Sequence, residues 1–527
     1  MPEKYTTKSS IARGVPNEKG WTNLVEIAGE SHLGDAPSES AVPILSLIHI
    51  SDTHICDAQS PARVEMMDRY ADPHNPTSAF IPFVGAYRAN EIMTTQTLEA
   101  VIQTVNSIKS GTVSSRPIDF VVVTGDVTDN AQKNELEWYL TLMDGGDIRP
   151  DSGDPTKWEG VAQSDPATYD RSYWNPEGTP EGCEDDFPRS LYGLPTVPGL
   201  LDAVRKPFTA TGLVHRWLAT HGNHDAMLQG TIPASEELEA IATGTSRMTS
   251  LAPDVDLQET FGSWNMVGPV NYKIPTGGTY ATQQADERRR FNRPADWANL
   301  HLSCGHAEHE GHGLTPVNAE RGTKFWSKMA GEIKLISLDT VNINGGWMGS
   351  LDQTQFEWLK QELADTAPKY FILLSHHPLH DLFNDYAHEG ADRRVAVDEI
   401  TEELLKHERV IAWVAGHDHD NRTAFVGEEG KAGFWSIITS SIIDWPQQGR
   451  LIEVLEDQGR VVIATSTINH ESPIDLPTAT SDLNNPVNLA GLSRILSANH
   501  WQRRNSNDFF VEIAAGNHAD RNRFLWL

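Results

Sequence analysis

Five short clusters of carboxylate, imidazole and amide side chains occur in order along the 527-residue chain: Asp52-Thr53-His54, Gly125-Asp126-Val127-Thr128-Asp129, Gly222-Asn223-His224-Asp225, His376-His377-Pro378 and Gly416-His417-Asp418-His419. Together they offer oxygen and imidazole nitrogen donors. That mixture suits Mn, Fe, Zn or Co, whereas Ca and Mg favour shells made of oxygen alone. Any one such cluster arises often by chance, and a strand-end residue making an ordinary hydrogen bond explains it equally well. Five in sequence, each just after an apolar run, point instead to one shared metal centre.

The elements that must position them are strands ending where the clusters begin. ILSLIHI precedes Ser51, FVVV precedes Thr124, ISL precedes Asp339, FILL precedes Ser375 and VIAWVA precedes Gly416. Short runs of this kind suit strands buried on both faces, and open α/β sheets place ligands beyond the carboxyl ends of such strands. Helical patterns alternate with them over residues 97–109, 132–143, 352–365 and 397–407. Asp352 fits an N-cap, with Phe356, Leu359 and Leu363 forming one apolar face behind it. After Phe434 the runs FWSIITSS, LIEVLE and RVVIATST follow without helices, which reads as a second, antiparallel-leaning sheet packed on the first.

In order and composition the five clusters resemble the calcineurin-like metallophosphoesterases, whose pattern is DxH, GDxxD, GNH[DE], a histidine often followed by x-Pro, and GHxH. The match spans Asp52 to His419, and DAQSPARVE, TDNAQ, GHGLTP, ISLDT and SSIIDWPQQ resemble a bacterial subgroup with long insertions. The resemblance implies an α/β fold, a four-layer α/β/β/α sandwich of two mixed sheets flanked by helices. It also implies a binuclear metal-dependent hydrolase of phosphate esters with two divalent ions. One ion would be held by Asp52, His54, Asp126 and His419, the other by Asp126, Asn223, His376 and His417. Asp126 would be shared, since cations roughly 3.5 to 4 Å apart need a common anion.

The same resemblance implies attack on phosphorus by a metal-bridging hydroxide, with His224 assisting the leaving oxygen and Asp129 orienting His224 through its other nitrogen. The His-x-Pro spacing selects His376 as the ligand and leaves His377 for substrate contact or support. Asp129 stands where purple acid phosphatases carry a ligating tyrosine, so no tyrosinate-iron centre is expected. Asn130 and Ala131 replace the Arg-Gly of the protein phosphatases. A phosphodiesterase is therefore the leading reading, a phosphomonoesterase or nucleotidase the alternative, and a non-catalytic binding member the third. The last conflicts with the presence of all seven implied ligands and His224.

A net charge of -31, from 73 acidic against 42 basic residues, repels a phosphate backbone and disfavours nucleic acid as a partner. A small phosphate ester remains compatible because a metal pair inverts the local potential. Three cysteines without paired spacing suggest neither disulfides nor a thiolate zinc site. No segment reads as a signal peptide or membrane span, so a cytoplasmic location is expected of the chain as written.

Organisation reads as a polar arm over residues 1–42, a phosphoesterase domain over 43–470 with cap insertions at 145–214 and 226–330, and a C-terminal extension over 471–527 that docks as an amphipathic helix. Within the second insertion, His306, His309 and His312 lie beside Cys304, a weak candidate for a further metal site. His312 and Arg88 are carried as candidates for substrate contact.

Overall fold

Strands with apolar side chains on both faces need cover on both, and the two central sheets supply half of it to each other. The structure, a computed structural model, describes residues 3–81, 84–305, 311–428, 430–505 and 509–527. In chain order the strands of these two sheets are β1 (Val42–Ile50), β2 (Phe120–Thr124), β3 (Trp217–Thr220), β4 (Trp326–Ala330), β5 (Ile333–Ser337), β6 (Tyr370–Leu374), β7 (Val410–Ala415), β8 (Arg422–Gly427), β9 (Gly433–Ile438), β10 (Gln448–Asp457), β11 (Arg460–Asn469) and β12 (Arg523–Trp526).

One six-stranded sheet has the order β12-β11-β10-β1-β2-β3, the other β4-β5-β6-β7-β9-β8. Within them β1, β2 and β3 are parallel, as are β5, β6, β7 and β9, and the remaining strands pair antiparallel. Alternation decides which side chain goes where. Ile372 and Leu374 of β6 and Ala412 and Val414 of β7 join Leu45 and Leu47 of β1 between the sheets. Phe371, Leu373 and Trp413 face the opposite way and pack under helices.

Helices α1 (Thr94–Ser107) and α2 (Lys133–Asp144) contribute to the core of the first sheet, as does α3 (Pro294–Ser303) through Trp297 and Ala298. α4 (Gln353–Leu363) and α5 (Val397–Leu405) cover the second, and α6 (Pro486–Ser497) lies on α1. The layers are α/β/β/α. Asp352 caps α4 as its position suggests, accepting the backbone N–H of Gln355 at 2.7 Å.

Two expectations change. The strands after Phe434 are largely antiparallel but do not form one sheet: β9 joins the second sheet beside β7, while β10 and β11 extend the first beside β1. Burial patterning reports that a strand is covered, not which strand lies next to it. The second insertion also ends earlier than residue 330, because Trp326–Ala330 is the edge strand β4 of the second sheet.

In the first insertion, Tyr173, Trp174 and Tyr192 pack with α6 and Trp501, whose ring stacks on Tyr192 at 5.9 Å. In the second, Leu228, Ile232, Leu238 and Phe291 pack on Val64, Met66 and Met67. Among the described residues, no helix is long and apolar enough to cross a membrane.

Candidate metal centre

The clusters occupy the loops that leave β1, β2, β3, β6 and β7. Backbone pairing continues past the strands and binds these loops to one another: Asp52 N–H donates to Gly125 O at 3.1 Å, His54 N–H to Asp126 O at 2.9 Å and Gly416 N–H to His376 O at 3.0 Å. Asp225 clamps two loops, accepting from Val127 and Thr128 N–H through Oδ1 and from Gly222 N–H through Oδ2. Two glycines are required by the closeness of this packing. A Cβ on Gly222 would stand 2.2 Å from Asp126 Oδ1, and one on Gly416 would stand 1.9 Å from Ser51 Oγ.

Asp52, His54, Asp126, His417 and His419 all have left-handed backbone, with φ of 55°, 42°, 49°, 68° and 57°. Each such residue costs on the order of 1–3 kcal/mol, and strain of this kind persists where a site demands a particular direction of side chain. Here it turns the side chains inward. Asp52 and His376 are fully buried, while 12% of the His419 side chain and 16% of that of His224 reach solvent.

The donor atoms of these side chains converge. His54 Nε2 lies 3.3 Å from His419 Nε2 and 3.7 Å from Asp126 Oδ2. His419 Nε2 is 3.4 Å from Asp52 Oδ1. On the other side His376 Nε2 is 3.1 Å from Asp126 Oδ2 and 3.2 Å from His417 Nδ1. Separations of about 3.0 to 3.4 Å are the edges of coordination polyhedra with bonds of about 2.1 Å.

The opposite nitrogen of three histidines is held by a second group. His54 Nδ1 donates to Asp129 Oδ1 at 3.1 Å, His419 Nδ1 to Asp444 Oδ2 at 2.7 Å and His376 Nδ1 to Thr124 O at 2.8 Å. This turns each Nε2 inward, where it offers a lone pair to a cation once any proton on it is displaced. Asn223 donates through Nδ2 to Gly230 O at 3.0 Å, leaving its buried Oδ1 with no hydrogen-bond partner. An orphaned amide oxygen, inward imidazole lone pairs and shared carboxylates together fit cations.

Burial opposes charge on Asp126, yet His376, His224 and His54 around it hold the carboxyl well below its usual range. Burial likewise opposes charge on His376, but Asp126 and Asp52 raise it to about 9. His224 is driven down to about 4, chiefly by burial, against the pull of Asp126. Its Nδ1 donates to the backbone carbonyl of Asp129 at 2.8 Å, so the neutral ring turns Nε2 into the site as an acceptor. The Asp129 carboxylate is directed elsewhere, to His54 and to Arg63 Nη1 at 2.7 Å.

The structure thus brings together Asp52, His54, Asp126, Asn223, His376, His417, His419, His224 and Asp129. The three residues expected at the substrate go elsewhere. His377 is fully buried behind His376 and His417, with Nδ1 2.7 Å from Thr340 Oγ1 and Nε2 3.0 Å from Trp347 O. Arg88 is buried and grips both oxygens of Asp444, at 2.9 and 3.2 Å, supporting the residue that holds His419. His312 stacks on Trp217 at the start of β3, whereas the Gly222–Asp225 cluster follows the end of that strand. His306 and His309 lie outside the described residues.

Three supports escape the motif reading. Asp444 holds His419 and is itself held by Arg88 and by Arg503 Nη2 at 2.9 Å. Arg63, fully buried, pairs with Asp129, Glu65 and Glu91. Both Asp444 and Arg63 sit in stretches, SSIIDWPQQ and DAQSPARVE, that carry the resemblance without being ligand motifs. Arg503, in the C-terminal extension, is buried.

A sequence model of the calcineurin-like phosphoesterase family matches residues 198–421, taking in the last three of the five clusters. No curated protein matches the chain. Among solved structures, the crystal structure of a dimetal phosphatase from Danio rerio aligns with a TM-score of 0.35 at 13% identity, covering 81% of this chain and 100% of that one. A sulfate thiohydrolase, SoxB, from Thermus thermophilus in complex with glycerol aligns with a TM-score of 0.28 at 10% identity, covering 83% of this chain and 57% of that one.

Proposed function

We propose that the chain is a calcineurin-like phosphoesterase, a metal-dependent hydrolase, and that it hydrolyses small-molecule phosphodiesters at a two-cation centre. The observation that carries the proposal is the paired use of the histidines: one ring nitrogen held by Asp129, Asp444 or Thr124 and the other turned inward, beside the orphaned Oδ1 of Asn223. Asp52, His54, Asp126 and His419 would hold one cation, and Asp126, Asn223, His376 and His417 the other. The position of Asp126 Oδ2, 3.1 Å from His376 and 3.7 Å from His54, supports its place between them. When bound, the cations supply Lewis acidity to the phosphoryl oxygens and to the attacking water.

The chain's own residues do the rest. His224, one of the ligand-loop side chains that reaches solvent, turns an unprotonated Nε2 into the site in the free protein; an anionic ester bound beside it would favour a proton there, which His224 passes to the leaving oxygen while the Asp129 carbonyl fixes its Nδ1–H. Asp129 and Asp444 hold His54 and His419 at fixed angles. Arg63, Arg88 and Arg503, which reach this network, are paired with carboxylates and so do not face a phosphate. With those guanidiniums engaged and a net charge of -31, a monoanionic diester meets less repulsion than a dianionic monoester.

The test is turnover of bis-p-nitrophenyl phosphate against p-nitrophenyl phosphate by stripped protein reloaded separately with Mn, Fe, Co and Zn. A higher kcat/KM for the diester supports the proposal. A preference for the monoester transfers the reading to a phosphomonoesterase on the same residues.

A further inference from the structure

We infer that Asp144, Cys304 and His312 form a third cation site, of the type that takes zinc, separate from the two-cation centre. His312 Nε2 lies 3.6 Å from Cys304 Sγ and 3.8 Å from Asp144 Oδ2, and the three donor atoms all lie within 4.8 Å of one another. With Zn–S near 2.3 Å and Zn–N near 2.1 Å, tetrahedral angles put sulfur and nitrogen about 3.6 Å apart. The sulfur–nitrogen separation seen here meets that requirement, and the nitrogen–oxygen one is wider by a few tenths of an ångström.

The remaining atoms of the two rigid donors are held so that they point at this spot. Asp144 Oδ1 accepts the indole N–H of Trp217 at 3.0 Å. The His312 ring stacks on that indole with centroids 3.5 Å apart and 16° between planes, and its Nδ1 lies 3.4 Å from Trp217 O. His312 has left-handed backbone, φ 49°, between Gly311 and Gly313, which are left-handed too. Next to the cysteine, a Cβ on Gly305 would stand 2.8 Å from Asp144 Oδ2, so only glycine lets the loop bring the thiol and the carboxylate this close.

The arrangement is not that of a nucleophile relay. In a Cys-His-Asp relay the carboxylate sits on the ring nitrogen remote from the thiol. Here thiol and carboxylate share the Nε2 side, and Nδ1 faces a carbonyl. Convergence on one point is what a cation requires. A thiolate and a carboxylate neutralise a divalent ion, with the thiol proton leaving to solvent on binding, so a buried site ends with no net charge.

The ion would tie the loop after α3 to the end of α2, two segments 160 residues apart in sequence, at the start of β3 and away from the ligands beyond its end. Three protein donors leave a fourth position for water.

Cobalt(II) substitution tests this directly, because the proposed two-cation ligands include no sulfur. Wild type and Asp126→Asn, saturated with cobalt, should both show a thiolate-to-cobalt charge-transfer band in the near ultraviolet. Cys304→Ser should lack that band, and His312→Gln should need at least about tenfold more cobalt to develop it. Far-UV circular dichroism on each variant checks that the fold persists. Absence of the band in cobalt-saturated wild type, a reading that needs no variant to fold, overturns the site, as does its persistence in Cys304→Ser.

Discussion

Asp129 meets His224 through its backbone: the ring Nδ1 is 2.8 Å from the Asp129 carbonyl oxygen and 3.8 Å from the nearer carboxylate oxygen. The carboxylate instead accepts from His54 and Arg63. Asp129→Asn should therefore leave the leaving-group dependence of turnover unchanged and weaken metal binding about 10- to 100-fold, through His54. Metal titration and a series of aryl and alkyl esters separate the two effects. A leaving-group dependence altered at full metal loading would show that the carboxylate serves His224 after all.

His224→Ala should retain its metals and slow hydrolysis of alkyl diesters about 10²- to 10⁴-fold, with a smaller loss on p-nitrophenyl esters, whose leaving group needs no proton. Equal losses on both substrates would remove His224 from proton transfer.

Asp444 holds His419 and pairs with two buried guanidiniums, Arg88 and Arg503. Asp444→Asn should lower metal affinity by about 10- to 100-fold. Asp444→Ala should also destabilise the fold by about 3–5 kcal/mol, because it strands buried charge. Isothermal titration and thermal melts of both variants read these effects, and unchanged metal affinity in Asp444→Asn would contradict the support role.

His376, raised to about 9 by Asp126 and Asp52 against the effect of burial, is protonated in stripped protein at neutral pH. A cation must displace that proton, so metal affinity should rise with pH, by about tenfold per unit for one proton, and level off above about pH 9. Affinity independent of pH between neutrality and that point would show that no such proton is displaced.

Much of the centre was legible because ligand chemistry constrains residue type and order together. Asp52, Asp126, Asn223, His376, His417 and His419 each stand where a strand's apolar run stops, and the parallel strands β1, β2, β3, β6 and β7 carry them to one place. What was not legible depends on tertiary packing. His377 reads as a second active-site histidine until its two nitrogens are seen to bond to Thr340 and Trp347. Arg88 reads as a candidate for substrate contact until it is found on Asp444, beside Arg503. The split of β9 from β10 and β11 has no sequence signature, since burial on both faces looks the same in either sheet.

The central claim is that Asp126 anchors a two-cation hydrolytic centre. Its most direct test is stripped protein reloaded with manganese, an ion that thiolate sites disfavour, with metal content and bis-p-nitrophenyl phosphate turnover measured on wild type and Asp126→Asn. The account predicts about two manganese ions per chain and restored turnover in wild type, with both reduced in the variant. Equal metal content and equal turnover in the two proteins would contradict it.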